Sequence, residues 1–348
     1  MSAPEIKSLM QKVATGATLE EDGIQSALEA MTSGVATPAQ MAAFLMALRV
    51  RGETITEITG ACRHMRSAMV PVEAPPDAVD IVGTGGDGHG TYNVSTCAAL
   101  VAAGAGVPIA KHGNRSVSSL SGASDVLTAL GVKLDVPPET ITRAISGAGV
   151  GFMWAPMHHP AMKHWAPVRA ELGIRTLFNL VGPLSNPASV KRQVVGVFDK
   201  GWVEPLAEVL KNLGSVHAWV VHGSDGLDEL TTTGRTRVAE LKDGDISVFD
   251  ITPDLAGLPL AALADLKGGD ASVNAIAIQE VLKGKPGPFR DIVLMNAAAA
   301  LVVAGKAANL ADGVERAARA IDTGAAAQAL GKLVAITNEA FPGETIRH

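Results

Sequence analysis

A short apolar run, Ala78 to Val82, leads into a turn crowded by Gly83, Gly85, Gly86 and Gly88. Beyond it, Ala98 to Ala103 reads as the opening of a helix. Strand, glycine turn and helix start follow one another within one short segment, which fixes what the surrounding chain can build. Glycines let backbone N–H groups approach a ligand closely, and the first amides of a helix carry partial positive charge, so the stretch is suited to an anion such as phosphate. Asn93, Ser95 and Thr96 add side-chain donors, while Asp87 sets a carboxylate beside the same anion. A carboxylate facing a phosphate calls for a cation between them, which points to Mg²⁺ with a polyphosphate. The plainer alternative is a glycine-rich turn joining a strand to a helix.

The first seventy residues carry helix signals only. Thr18 with Glu21, Thr37 with Gln40 and Thr54 with Glu57 each fit a capping box, and Pro38 stands at a first helical position. Gly34 and Gly52 suit helix C-termini, and Pro71 closes the last helix. Ile24, Ala27, Leu28 and Met31 share one apolar face; Phe44, Leu45 and Leu48 share another. The proline-rich stretch Pro71 to Asp77 then marks a boundary. Strand candidates Val79–Val82, Val107–Lys111, Val150–Trp154, Gln193–Phe198 and Val216–His222 follow, alternating with helix candidates Thr96–Ala105, Ala123–Leu130, Pro138–Gly147, Glu204–Leu213 and Ala271–Leu282. Such alternation predicts a mainly parallel sheet with helices on both faces. Thr236–Ile251 reads as an antiparallel hairpin turning at Asp243-Gly244, and the chain from Pro286 as alanine-rich helix. The expected architecture is α/β: a small helical domain over residues 1–72, joined by a helical segment around 165–185, and a large domain over 73–348.

A net charge of −6 over 348 residues argues against nucleic acid or an anionic membrane as partner. Neither a leader nor a membrane-spanning apolar run is legible, so a cytoplasmic location is expected. Cys62 and Cys97 offer no disulfide or metal spacing and read as buried small apolar residues.

Three further stretches carry chemistry. Lys111-His112-Gly113-Asn114-Arg115, with Ser116, Val117, Ser118 and Ser119 behind it, ends a strand beside the glycine turn. Cations and hydroxyls there would share the same crevice. His158-His159-Pro160 fits no common zinc spacing. Arg169 sits on a predicted helix, where solvation is the ordinary fate of arginine, and Asp228-Glu229 fits surface acids as well as metal ligands.

Together, Gly83-Thr84-Gly85-Gly86-Asp87, Asn93-Val94-Ser95-Thr96, Lys111 to Arg115, His158-His159-Pro160, the run Arg169 to Pro187 and Gly226 to Leu230 resemble the anthranilate phosphoribosyltransferases, in order and spacing. The resemblance spans roughly residues 5 to 340. It implies a Mg²⁺-dependent homodimeric enzyme of tryptophan biosynthesis that joins anthranilate to 5-phosphoribosyl 1-diphosphate (PRPP) and releases pyrophosphate. It further implies that Gly83, Gly86, Asp87, Thr91, Asn93, Val94, Ser95 and Thr96 hold PRPP, continued by Lys111 through Ser119 and by Ala123. Gly83, Asn114, His159 and Arg169 would face anthranilate; Ser95, Asp228 and Glu229 would bind metal; Lys111, Asp87 and Arg169 would carry catalysis. Ala123 departs from the family's usual serine, leaving backbone or Ser124 to make that contact. The rival readings are a pyrimidine-nucleoside phosphorylase of the same fold, a non-catalytic nucleic-acid-binding paralogue, and a regulatory protein retaining the fold.

Overall fold

A computed structural model describes residues 3–115 and 120–339. Four helices come first: α1 (Ala3–Ala14), α2 (Glu21–Thr32), α3 (Pro38–Arg51) and α4 (Ile55–Ser67). Reciprocal capping boxes close the starts of α3 (Thr37 with Gln40) and α4 (Thr54 with Glu57), as the sequence leads one to expect. Thr18 does not cap α2. Glu20 stands at the N-cap without a side-chain bond, and the neighbouring Leu19 amide donates instead to the buried carboxylate of Glu57, 2.9 Å away. The helix starts at Glu21, too late for Thr18 to cap it, and the Glu21 carboxylate pairs with Arg63 of α4 and not with the Thr18 amide.

Beyond the linker come β1 (Val79–Gly83), α5 (Val94–Gly104), β2 (Ile109–Gly113), α6 (Ala123–Ala129), α7 (Pro138–Ala148) and β3 (Val150–Trp154). The short helices α8 (Ala155–His158), α9 (Ala166–Leu172) and α10 (Leu177–Leu184) follow. Next are β4 (Arg192–Gly196), α11 (Val203–Asn212), β5 (His217–Gly223), β6 (Thr236–Lys242) and β7 (Asp245–Ile251). The chain ends in α12 (Ala271–Leu282), α13 (Pro288–Val303), α14 (Leu310–Asp322) and α15 (Ala325–Asn338).

The strands form one seven-stranded sheet in the order β3-β2-β1-β4-β5-β6-β7. The first five are parallel and the last two are added antiparallel through the Asp243-Gly244 turn. Alternation along each strand sends side chains to two different cores. Val79, Ile81, Ile109, Val194 and Val221 pack with α5, α13 and α15 on one face. Val195, Ala218, Val220 and Ala239 face the other way, against α11. That second core continues without a break through Phe178 and Trp165 into Ile24, Phe44 and Leu48 of the helical bundle. Helices α9 and α10, though distant in sequence, therefore share their core with α2–α4. A third cluster packs both linkers (Val72 and Val190) against Ala78 and Ala110.

The order reverses between β1 and β4, since β1 is followed in sequence by β2 on one side while β4 lies on the other. Loops leaving the carboxyl ends of two such strands diverge and open a crevice there. Gly83 and Gly196 are paired at the ends of β1 and β4, at that point.

Candidate active site

The loop after β5 seats itself on this pair of glycines. A Cβ at Gly196 would lie 1.6 Å from the Asp228 carbonyl oxygen, and one at Gly83 would lie 2.4 Å from the Asp228 carboxylate. Absence of side chains is what lets Asp228 and Glu229 settle over the sheet edge. The Gly85 amide donates to Asp228 Oδ2 at 2.7 Å, and the Ser95 amide, in the first turn of α5, donates to Glu229 Oε1 at 3.1 Å. Amides of the glycine turn and of the first turn of α5 thus donate to carboxylates of the β5 loop. Asp87 completes the group, close enough for its charge to raise the Asp228 carboxyl.

Burial, then the neighbouring Asp87, pushes the Asp228 carboxyl well above the ordinary carboxylate range. Burial and Asp228 do the same to Glu229, against the pull of Lys111. Crowded acids that raise one another in this way hold protons, or give them up to a cation. The oxygen donors suit a hard one: Asp87, Asp228, Glu229 and the Ser95 hydroxyl. Among the described residues no three ligand side chains already surround a common point. The acids fit Mg²⁺ in the manner usual for that ion, through one or two carboxylates, with substrate phosphates and water completing the shell.

Lys111 is nearly inaccessible, 3 % exposed. Its ammonium donates to the carbonyl of Ile81 and lies 3.4 Å from Ser95 Oγ. Burial lowers its pKa, while Asp80, Glu229 and Asp228 oppose the shift. Thr91 bridges to Lys267, and the Thr96 hydroxyl is buried without a partner among the described residues. Val94 is buried in the core beneath the turn.

His112 points from the opposite face of β2 and meets His159 edge to face at 5.1 Å between ring centres. Burial, then the flanking histidines, holds His112 far below its usual pKa; burial and His158 bring His159 down to about 4. Both rings are neutral at pH 7. His158 Nδ1 lies 2.9 Å from the Val70 carbonyl, which ties this ring to the linker. Arg169, on α9, rests over the Phe178 ring at 5.4 Å and has no hydrogen-bonding or ionic partner among the described residues. Burial lowers its pKa, so it is a half-buried guanidinium suited to pairing with an anion.

Other expected residues are placed less centrally. Asn114 accepts from the Arg115 amide and is exposed. Arg115 leans away, over Trp154 at 5.6 Å and 3.7 Å from Asp125. The Ala123 methyl would lie 3.4 Å from a Cβ at Gly113, while the neighbouring Ser124 hydroxyl is buried without a partner among the described residues. Ser116, Val117, Ser118 and Ser119 lie outside the described residues.

Two participants escape sequence reading. Arg175 reaches from the turn after α9 to the glycine loop, donating to the Gly86 carbonyl at 2.6 Å while stacking on Phe198 at 4.4 Å. Asp80, buried within β1, accepts from the His112 amide at 3.2 Å and from Asn186 Nδ2 at 2.7 Å. Its carboxyl is raised by burial to about 6, with Lys111 and Asn186 opposing. A sequence shows one acid interrupting an apolar run and an arginine in a loop; only the fold shows what they reach.

The family described as "Glycosyl transferase family, a/b domain" matches residues 75–327, and its "helical bundle domain" matches residues 7–69. The anthranilate phosphoribosyltransferase of Rhodopseudomonas palustris (strain TIE-1) is 63% identical over 333 residues, covering 96% of this chain and 98% of the relative. This chain belongs to the anthranilate phosphoribosyltransferase family. The crystal structure of the Thermus thermophilus family member superposes with a TM-score of 0.90 at 44% identity, over 95% of this chain and 99% of the other. The Saccharomyces cerevisiae anthranilate phosphoribosyltransferase in complex with PRPP and Mg gives a TM-score of 0.88 at 30% identity, over 97% and 98% of the two chains. The anthranilate phosphoribosyltransferase fold thus holds for both the helical bundle and the α/β part. No described helix is long and apolar enough to cross a membrane.

Proposed function

We infer that the protein transfers the phosphoribosyl group of PRPP to the amine of anthranilate, giving N-(5-phosphoribosyl)anthranilate and pyrophosphate, in tryptophan biosynthesis, with Mg²⁺ as cofactor. One observation carries the reading. At the sheet's switch point an acid cluster with α5 amides and Lys111 lies on one side, and neutral His112 and His159 lie on the other. The first half suits a polyphosphate with a hard cation, and the second suits an uncharged aromatic acceptor.

The chemistry needs charge control more than covalent help. Negative charge grows on the departing pyrophosphate, and bound Mg²⁺ would supply Lewis-acid stabilisation of it. Gly83, Gly86, Thr91, Asn93, Ser95 and Thr96 shape the phosphate cradle, with Asp87, Asp228 and Glu229 as oxygen ligands. Lys111 directs a fixed ammonium toward the leaving group, a placement worth several kcal/mol where water is excluded. Arg169 receives the anthranilate carboxylate in a two-pronged ion pair. His159 and Asn114 orient the ring. The aromatic amine is a weak base and loses its proton easily once attack begins, so no general base is assigned.

The reading also divides the chain near residue 72, with 165–185 joining the helical unit and closure of the two parts uniting the substrates. A homodimer is proposed as well, as the family resemblance implies. A cytoplasmic location is proposed too, and it suits the phosphorylated substrate PRPP. The test is anthranilate fluorescence, followed after adding PRPP with and without Mg²⁺. Metal-dependent loss of the signal is expected; a stable signal at saturating PRPP would overturn the assignment. Phosphorolysis of a pyrimidine nucleoside by the same protein would favour the rival enzyme.

A further inference from the structure

Asn93 is the N-cap residue of α5, yet its side chain makes no capping bond. It is instead the middle of a chain of amides. The Gly269 N–H donates to Asn274 Oδ1 at 2.8 Å. Asn274 Nδ2 donates to Asn93 Oδ1 at 2.9 Å, and Asn93 Nδ2 donates to the Ser121 carbonyl at 3.2 Å. Asn274 lies 181 positions from Asn93 in sequence and is 1 % exposed.

The direction of this chain is forced. A backbone N–H can only donate, so the atom of Asn274 facing Gly269 must be its carbonyl oxygen, and its NH₂ must face Asn93. That donor in turn obliges Asn93 to present Oδ1 toward Asn274 and its own NH₂ elsewhere. One Asn93 hydrogen reaches the Ser121 carbonyl, and the second has no acceptor among the described residues. Were Asn93 reversed, two NH₂ groups would meet in a buried place and the outward group would be a carbonyl oxygen, which repels phosphate.

The backing around Asn274 is equally well built. Tyr92 donates its amide to Leu266 O at 3.0 Å, and Gly268 donates to Gly90 O at 3.0 Å. Gly268 itself has no room for a side chain, because a Cβ would sit 2.7 Å from Thr91 O and 2.8 Å from Asn274 Oδ1. The stretch before α12 is thus a strap laid directly behind the donor loop.

We propose that Asn274 is a positioning residue for phosphoribosyl transfer, fixing the orientation of the Asn93 amide so that it offers a donor and not an acceptor to the phosphorylated substrate. This rests on the reading of the crevice as a PRPP site. Asn274→Asp keeps size and shape and still accepts from Gly269, but it cannot donate to Asn93. It is expected to raise KM for PRPP about ten-fold or more, because the carboxylate would face the Asn93 carbonyl oxygen, leave it only the Ser121 hydroxyl at 3.3 Å as donor, and favour the reversed amide. Asn274→Ala, without the added charge, should raise it several-fold. KM for anthranilate should stay within two-fold in both. Calorimetry of PRPP with Mg²⁺ on the wild type comes first, since absence of binding there overturns the functional reading itself. Binding by the wild type, with PRPP affinity unchanged in both folded variants, overturns only the Asn274 assignment. So does a variant that loses thermal stability while both Michaelis constants hold, or one that weakens both substrates alike.

Discussion

Removing the Arg169 guanidinium separates recognition from folding unusually cleanly. The group rests on Phe178 at 5.4 Å and binds nothing else among the described residues. A cation over a ring at a partly exposed site contributes about 0.5–1 kcal/mol, and burial of an unpaired charge subtracts from that. Arg169→Ala should therefore change unfolding free energy by less than about 1 kcal/mol. Loss of charge-assisted hydrogen bonds to a carboxylate costs about 1.5–3 kcal/mol, or roughly ten- to a hundred-fold in apparent affinity. The variant should show an unaltered melting curve, a KM for anthranilate raised by that factor, and a KM for PRPP near wild type. Arg169→Lys should recover part of the loss, because one ammonium cannot copy a planar fork. An aniline lacking the carboxylate should be a poor substrate for wild type and nearly indifferent to the mutation. An unchanged KM for anthranilate would refute the assignment, and equal weakening of both substrates would mean that Arg169 serves closure and not acceptor recognition.

Three other outcomes are expected. Asp228→Asn combined with Glu229→Gln should fold, as it removes mutual repulsion, yet lose at least about 10²–10³-fold in turnover; near-normal activity at limiting Mg²⁺ would exclude these acids as ligands. Gly86→Val should abolish PRPP binding in calorimetry, since Gly86 has φ +77° and a Cβ there would crowd Arg175 Nε at 3.3 Å. His159 is neutral in the fold down to about 4, whereas an unfolded imidazole protonates near 6.5. Its contribution is fully present above about pH 6.5 and is lost as pH falls toward 4, at up to about 1.4 kcal/mol per unit. His159→Gln should flatten the acid limb of a denaturant-derived stability profile; an unaltered slope between pH 6.5 and 4.5 would show that His159 is not the group responsible.

Local signals in the sequence were reliable where one short segment decides the outcome. The boxes at Thr37 and Thr54, the buried runs of β1 to β5 and the Asp243-Gly244 hairpin all depend on neighbours within a few residues. The Thr18 box does not form because α2 starts at Glu21 and the Glu21 carboxylate is taken by Arg63, far along the chain. The converging acids were legible as residue types, but not their seat on Gly83 and Gly196, which follows from strand order. Asp80 carries no signal of its own within the run Ala78 to Val82, since its partners Asn186 and the His112 amide are brought to it only by the sheet and the second linker. Arg175 was equally silent, because a loop arginine is ordinarily solvated and its contact with Gly86 crosses the crevice.

The seating of Asp228 on Gly83 and Gly196 also offers a test for relatives of unknown activity. A chain can keep both acids of the metal pair and still be unable to place them. With 1.6 Å between a would-be Cβ at position 196 and the Asp228 carbonyl, even alanine would push the acidic loop off the sheet edge. A paralogue carrying any side chain at either position should be regarded as having retired from this chemistry, however intact its carboxylates, and a screen that scores only the ligands would misclassify it.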